Sequence, residues 1–513
     1  MEPVDNPQTL RPDSGRTGFW ERFSTLEGGA AYFWMLIVLL FLFCVLDQSN
    51  YERNQMLGQF FGGTTLALCA GAGVVLHLNG KLGARNAIIL LIIGGFGLKL
   101  SFALTNGWYA YQHDVESLKT SGHLSYIYGL AGGKGLPATN DWQFNHPPLH
   151  HLIAAGSLKL SRLLGFSDDR AFENIQLLSV FYSSACMVVA YKILREIRIR
   201  GKVLVLCMLL FCFHPTFTIL AGSINNDVLT LLLSMAALLY LLRWYQKPCL
   251  KYAAALGIFT GLAVMTKFSA ALLVAVIAVV VLQRFVSGLN TRASGFTFGA
   301  LAGQTGMFAL FAAPLGLWYQ IRNMILFSQP LGYVVGLSPT SHLYCGDVSV
   351  WKRLFTIPLT EFSSKLYASP DNDYSLPGYT LKCSLFGEYQ WPGREGFGWV
   401  LFWLNLALVL LTLAALIYVL RRGWDQFAPG ALLIFGFAWA LQLISFVVFN
   451  LRFPFGCTMD FRYIAITLIS AVVFLGMAGT LLERSRSRIA RILLGGGGCA
   501  AAAFAVCSVL FYL

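Results

Sequence analysis

NGWYAYQHDVESLKTSGHLSYIYGLAGGKGLPATNDWQFNHPPLHHLIAAG, residues 106–156, is the stretch on which the reading of this chain turns. It is a long polar interruption in a sequence otherwise written for lipid. Of 513 residues 57% are hydrophobic and only 12% charged, where a soluble globular chain carries about 25% charge. The apolar runs are continuous over about 16 to 22 residues, whereas strands of a membrane barrel alternate over roughly 10. The predicted fold is therefore all-α, a polytopic membrane helical bundle whose large extracytoplasmic loops carry juxtamembrane helices.

About thirteen spans are expected, near 31–47, 58–79, 86–105, 174–193, 202–220, 227–243, 251–266, 268–283, 297–317, 399–420, 430–449, 462–482 and 492–513. They divide the chain into a cytoplasmic polar tail (1–30), N-terminal spans (31–105) and a first large extracytoplasmic, catalytic loop (106–173). Central spans (174–317), a second large loop (318–398) and C-terminal spans (399–513) follow. The polar tail lacks the apolar core and cleavage site of a signal peptide, so the first span is expected to be a retained anchor.

Lysine and arginine fix the orientation. The tail and alternate loops, among them Arg195, Arg198 and Arg200, hold 21 of the 37 basic residues with eight of the 24 acids. That side carries the whole net charge of +13, and the other is neutral. By the positive-inside rule the N-terminus is cytoplasmic, the C-terminus extracytoplasmic, and residues 106–173, 214–227, 318–398 and 450–461 face outward. Basic residues spread in this way are topology signals rather than a nucleic-acid stripe, so nucleic acid is excluded as a partner. Most of the eleven cysteines sit inside apolar runs; Cys345 and Cys383 share the outer, oxidising side, where a disulfide between them is open.

The outward segments hold the chemistry. Asp114 and Glu116, beside His113, lie within about ten residues of a span end, at headgroup depth; they read as surface acids or as acid/base groups. An alcohol acceptor, with a pKa near the 15.7 of water, needs a base to lose its proton. His146-Pro147-Pro148-Leu149-His150-His151 is a helix start, with proline in the first turn, and carries more histidine than a helix start needs. Substrate or phosphate contact is favoured for those rings over a metal site, because no third ligand is evident. Asn225-Asn226-Asp227 precedes a span and exceeds the single residue that capping requires. Lys267 interrupts a 32-residue apolar run and reads as a hairpin tip, snorkelling or holding a lipid phosphate. Glu388, Arg462 and Tyr463 end the later outer segments, as interfacial anchors or as site residues, and Arg322 opens the second large loop.

In this order the motifs resemble those of the membrane-embedded GT-C glycosyltransferases, in particular the polyprenyl-phosphate-sugar transferases related to the protein O-mannosyltransferases and the aminoarabinose transferase of lipid A. The resemblance rests on the early loop acid (Asp114), HPPL (146–149), NND (225–227), G-L-A-x-x-T-K (261–267) and a late R-Y (462–463), and covers roughly residues 86–482. It implies transfer of a sugar from a lipid-phosphate carrier to a hydroxyl of a glycan, lipid or protein on the outer face, within the cell membrane. Asp114 would be the base, with Glu116 as its helper; the family's Asp-Glu tandem is interrupted here by Val115. Lys267, Arg462, His146 and Arg322 would meet the phosphate. His113, His150, His151, Asn225, Asn226, Asp227, Glu388 and Tyr463 would complete the substrate site. The donor is a co-substrate, no cofactor is obligate, and a divalent metal is allowed without being called for.

The rival classes are a multi-pass transporter or lipid flippase and a non-catalytic glycan-binding relative. Transporters place ionisable groups at mid-membrane in broken helices. Here such groups gather in outer segments, and Lys99 is the main exception.

Overall fold

The computed structural model describes residues 29–45, 51–115, 121–138, 142–291, 297–356, 365–423, 425–485 and 487–513. The described residues form helices, with one isolated antiparallel bridge between Tyr344 and Phe455. In chain order the helices are α1 (Ala30–Val45), α2 (Tyr51–Leu78), α3 (Ala84–Asn106), α4 (Gly122–Ala131), α5 (Leu149–Leu163), α6 (Asp168–Glu196), α7 (Gly201–Cys212), α8 (Pro215–Ala221) and α9 (Asp227–Gln246). They continue as α10 (Leu250–Thr266), α11 (Leu272–Thr291), α12 (Phe298–Phe327), α13 (Val350–Phe355), α14 (Leu376–Phe386), α15 (Glu395–Arg422), α16 (Ala431–Arg452), α17 (Thr467–Arg484) and α18 (Arg488–Tyr512).

Among the described residues each of the thirteen apolar runs is largely helical, but they are not thirteen equal spans. Among the described residues ten helices are long and apolar enough to cross a bilayer, α1 and α10 are shorter, and α7 and α8 form one run bent by 45°. The bend has a local cause. Pro215 begins α8 and has no N–H to continue the ladder of α7, and His214 caps the new helix by accepting the N–H of Thr216. The carbonyls freed at the break are taken up by neighbours: Lys99 Nζ donates to Cys212 O at 2.8 Å and Ser508 Oγ to Phe213 O at 2.6 Å. Lys99, wholly buried in α3, thus meets a helix C-terminus, where a cation is favoured. It is a structural charge.

α6 is the centre of the bundle, buried on nearly every side, while α2 lies at the periphery. α10 and α12 pack along their length because small residues let the backbones approach. A Cβ on Gly257 would sit 2.5 Å from Phe308 O, and one on Gly261 2.7 Å from the Leu315 side chain. α5 is amphipathic in the juxtamembrane manner: His150, His151, Ala154 and Leu158 face inward, and Leu152, Ile153, Leu160 and Leu163 are exposed. Cys345 and Cys383 are both free thiols, so the disulfide left open by the sequence is not formed.

The chain ends of α3, α8, α10, α12 and α16 and the starts of α9, α11, α15 and α17 all lie at the end of the bundle that the charge pattern assigns to the outside. That end carries α4, α5, α13 and α14 as a cap of short helices and loops.

Candidate active site

The loop leaving α3 is held in an unusual backbone shape. Tyr111 and Asp114 adopt positive φ of 52° and 56°, a conformation that costs a non-glycine residue on the order of 1–3 kcal/mol and persists only where surroundings enforce it. Here they do. The Gln112 side chain donates to Gly222 O at 2.7 Å and accepts the Ile224 N–H at 2.9 Å, locking the loop to the segment before α9. Gln176 of α6 donates to both Gly107 O and Gly222 O, and the His123 N–H, at the start of α4, holds Asp114 O at 2.9 Å.

So held, the Asp114 carboxylate meets Arg462. Asp114 Oδ2 lies 2.8 Å from Arg462 Nη1, and Trp142 Nε1 donates to Asp114 Oδ1 at 3.4 Å. The same Nη1 is 3.4 Å from Asp227 Oδ2, and Asp227 in turn pairs with Lys267. Lys267 also stands 4.8 Å over the ring of Tyr463. Burial opposes ionisation of Asp114, but Arg462, His113 and Lys267 outweigh it and hold the carboxyl at about 2. Burial likewise opposes the charge of Arg462, and Asp114, Asp227 and Asp460 overcome it, raising its pKa well above the ordinary value.

Beside this ionic cluster stands a neutral one. His123, His150 and His151 are buried and His146 is half-buried, and loss of solvent pushes all four below the ordinary histidine range, His146 to about 3 and His150 to about 4. His123 Nδ1 and His151 Nε2 share a hydrogen bond at 2.9 Å, and His151 stacks on Tyr126 at 4.1 Å between centroids.

Members of both clusters line one cavity of about 270 Å³. Its lining is polar at Asp114, His123, His146, Lys267 and Arg462 and apolar at Val335, Leu337, Phe446, Phe449, Phe453 and Phe455. Of the residues expected from sequence, Asp114, His146, Lys267, Arg462 and Tyr463 line this cavity. Asp227 lines a smaller adjoining one between α9, α11 and α16.

The other expected residues stand off the cavity. Asn225 Oδ1 accepts the Asp227 N–H at 3.1 Å, and Asn226 Nδ2 reaches Thr266 O at 3.0 Å, so these two brace the start of α9 against the end of α10. Arg322 donates to Leu136 O and Pro137 O, both at 3.3 Å, pinning the first loop. His150 and His151 are buried on the inward face of α5, and His113 faces Glu388 and Asp460. Glu116 lies outside the described residues. Sequence reasoning passed over His123, Trp142, Gln320 and Asp460. Of these only Asp460, two residues before Arg462, carried a usable signal, an acid beside a cation at a span start.

The family model described as Dolichyl-phosphate-mannose-protein mannosyltransferase matches residues 145–318, about a third of the chain, from the histidine motif into α12. No curated protein matches the sequence. Among solved structures, the S. cerevisiae protein O-mannosyltransferase Pmt1–Pmt2 complex bound to the sugar donor is 16% identical over 52% of this chain and 36% of its own, with a TM-score of 0.36. ArnT from Cupriavidus metallidurans bound to undecaprenyl phosphate is 13% identical over 83% of this chain and 75% of its own, with a TM-score of 0.48. The apo Archaeoglobus fulgidus oligosaccharyltransferase is 14% identical over 83% and 55%, with a TM-score of 0.41. The chain therefore spans about a third of the yeast chain's length and about half of the archaeal one's. On the matched segment, this polytopic helical membrane protein is similar to the GT-C glycosyltransferases of the protein O-mannosyltransferase kind.

Proposed function

We propose that this chain moves one sugar from a polyprenyl-phosphate carrier to a hydroxyl acceptor at the extracytoplasmic membrane surface. The observation that carries the reading is the mixed lining of the cavity, which joins two cations and a carboxylate to a set of phenylalanines. A lipid-linked sugar phosphate combines the same two characters, and the family match spans Lys267 and His146 of that lining.

In the reaction the acceptor oxygen attacks the anomeric carbon and its proton passes to Asp114. The bond from that carbon to the phosphate oxygen breaks, and the electron pair leaves with the polyprenyl phosphate. Single displacement inverts the anomeric centre. Arg462 gives this sequence an order. While it pairs with Asp114 at 2.8 Å the carboxylate is a weak base. An incoming phosphate competes for the same guanidinium, aided by Lys267, and thereby frees Asp114 to accept a proton. Donor binding thus readies the base.

The transporter reading loses its main foothold in Lys99, which caps a helix break and lines none of the cavities described above. The proposal is tested by supplying radiolabelled lipid-linked sugar to membranes that hold the wild-type chain or Asp114→Asn. Transfer is expected to fall by at least 10²- to 10⁴-fold, the usual contribution of a general base, with expression and thermal stability retained. Transfer within tenfold of wild type would take Asp114 out of the reaction.

A further inference from the structure

Next to the donor cavity, and lining no part of it, three side chains from three separate outer segments converge. They are His113 of the first loop, Glu388 after α14, and Asp460 after α16. All three are largely buried, with side-chain exposures of 4%, 15% and 3%. His113 Nδ1 lies 3.5 Å from Glu388 Oε2 and 3.7 Å from Asp460 Oδ2, and one donor atom from each of the three falls within 4.8 Å of the others. Donors held about 2.1 Å from one ion in tetrahedral array stand roughly 3.4 Å apart, so the two spacings from His113 are close to those of a ligand set, and the two carboxylates need draw in only slightly to complete it.

Each carboxylate is also turned for the task. Tyr379 Oη donates to Glu388 Oε1 at 2.7 Å, and the Arg462 N–H donates to Asp460 Oδ1 at 3.0 Å. In both, one oxygen is held from behind and the other is presented to His113, the outer-sphere arrangement that orients metal ligands. Asp460 Oδ2, buried, receives no hydrogen bond among the described residues; Arg462 Nε lies 3.1 Å away, outside hydrogen-bond geometry.

The charge balance points the same way. Within this one connected set of side chains Asp114, Asp227, Glu388 and Asp460 are four carboxylates, against the two cations Lys267 and Arg462. Carboxylates in excess are costly to bury unless protons or a cation offset them.

We propose that His113, Glu388 and Asp460 form a binding site for one divalent transition-metal ion of the Mn²⁺ or Zn²⁺ kind. One imidazole with two carboxylates suits such ions better than Ca²⁺ or Mg²⁺, which take oxygen donors. The ion would tie the three outer segments together one residue before Asp114, and so hold that residue at its positive φ. This is a positioning role, set apart from the phosphate, and binding of the ion can be read without the transfer reaction proposed above.

The test uses the purified full-length chain in detergent, stripped with a chelator and titrated with Mn²⁺ under electron paramagnetic resonance, with Zn²⁺ as competitor. One Mn²⁺ per chain is expected, showing ¹⁴N coupling from an imidazole and displaced by Zn²⁺. His113→Ala and Asp460→Asn should abolish uptake, and Tyr379→Phe, which removes only the hydroxyl orienting Glu388, should weaken it about 10- to 100-fold. Absence of stoichiometric uptake by the wild type, bound Mn²⁺ without ¹⁴N coupling, or unchanged uptake by folded His113→Ala would each overturn the proposal. The ¹⁴N signal decides the matter in the wild type even where a variant does not fold. Metal uptake is read without donor or acceptor, so its failure would leave the transfer reaction standing, and the reverse holds.

Discussion

Two polar clusters meet at one cavity, and they solve the problem of burial in opposite ways. Asp114, Arg462, Asp227 and Lys267 keep their charges and cancel them against one another. His123, His146, His150 and His151 give up charge and pack as neutral rings, the first two and His151 stacked and His150 edge-on to His151. The difference bears on function. A cancelled ionic set can be rearranged by a ligand that brings its own charge, since a phosphate displaces one carboxylate from a cation at little net cost. A neutral set offers such a ligand no charge to exchange; it supplies a firm wall.

The contrast is broken most severely at Arg462, which touches three carboxylates. Arg462→Met would leave Asp114, Asp227 and Asp460 without the cation they share. Removing one partner of a buried pair costs about 3–5 kcal/mol. A large drop in the thermal midpoint in detergent, together with loss of transfer, is the expected result. An unchanged midpoint would mean that these carboxylates are already protonated and that the ionic description is wrong.

A paired experiment at Lys267 sharpens the comparison further. Lys267→Met should cost about 3 kcal/mol by leaving Asp227 uncompensated on that side, and Asp227→Asn added to it should restore most of the stability. Function should not return with it. The phosphate has lost one charge-assisted contact, of the order of 1.5–3 kcal/mol, so the double variant should bind a lipid-phosphate analogue about 10- to 100-fold more weakly. Recovery of stability and affinity together would assign Lys267 to the fold alone.

How far all this could be read in advance depends on the kind of residue. The apolar runs marked every helix of the bundle, because lipid demands the same composition wherever a helix crosses it. The break at Pro215 was hidden, since the hydropathy of 202–220 is continuous across it and the remedy, Lys99 on Cys212 O, comes from 113 residues away. In the site, the residues visible in sequence as charges against an apolar background, Asp114, Lys267 and Arg462, are the ones that meet. Histidines and asparagines were legible as motifs but not as positions. His146 faces the cavity while His150, four residues on, is sealed from it, and only the packing of α5 against α6 separates the two.

His150 gives the smallest and most discriminating of these effects. Its ring is fully buried, and neither nitrogen meets a hydrogen-bond partner among the described residues. Its folded pKa, about 4, lies below the unfolded value of about 6.5 because burial disfavours the charged ring. A depressed histidine contributes stability that is present in full above pH 6.5 and drains away as pH falls toward 4, at about 1.4 kcal/mol per pH unit. His150→Leu, similar in bulk and without a proton to gain, should therefore stand within about 1 kcal/mol of the wild type at pH 7, since an unpaired buried polar group is removed as a packed volume is kept. Below pH 6 the variant should lose stability less steeply with acid than the wild type, as followed by thermal unfolding across a pH series, with transfer at pH 7 unaltered. Lost transfer in a variant of normal stability would move His150 from the silent wall into the reacting set, and the division between the two clusters would have to be redrawn along α5.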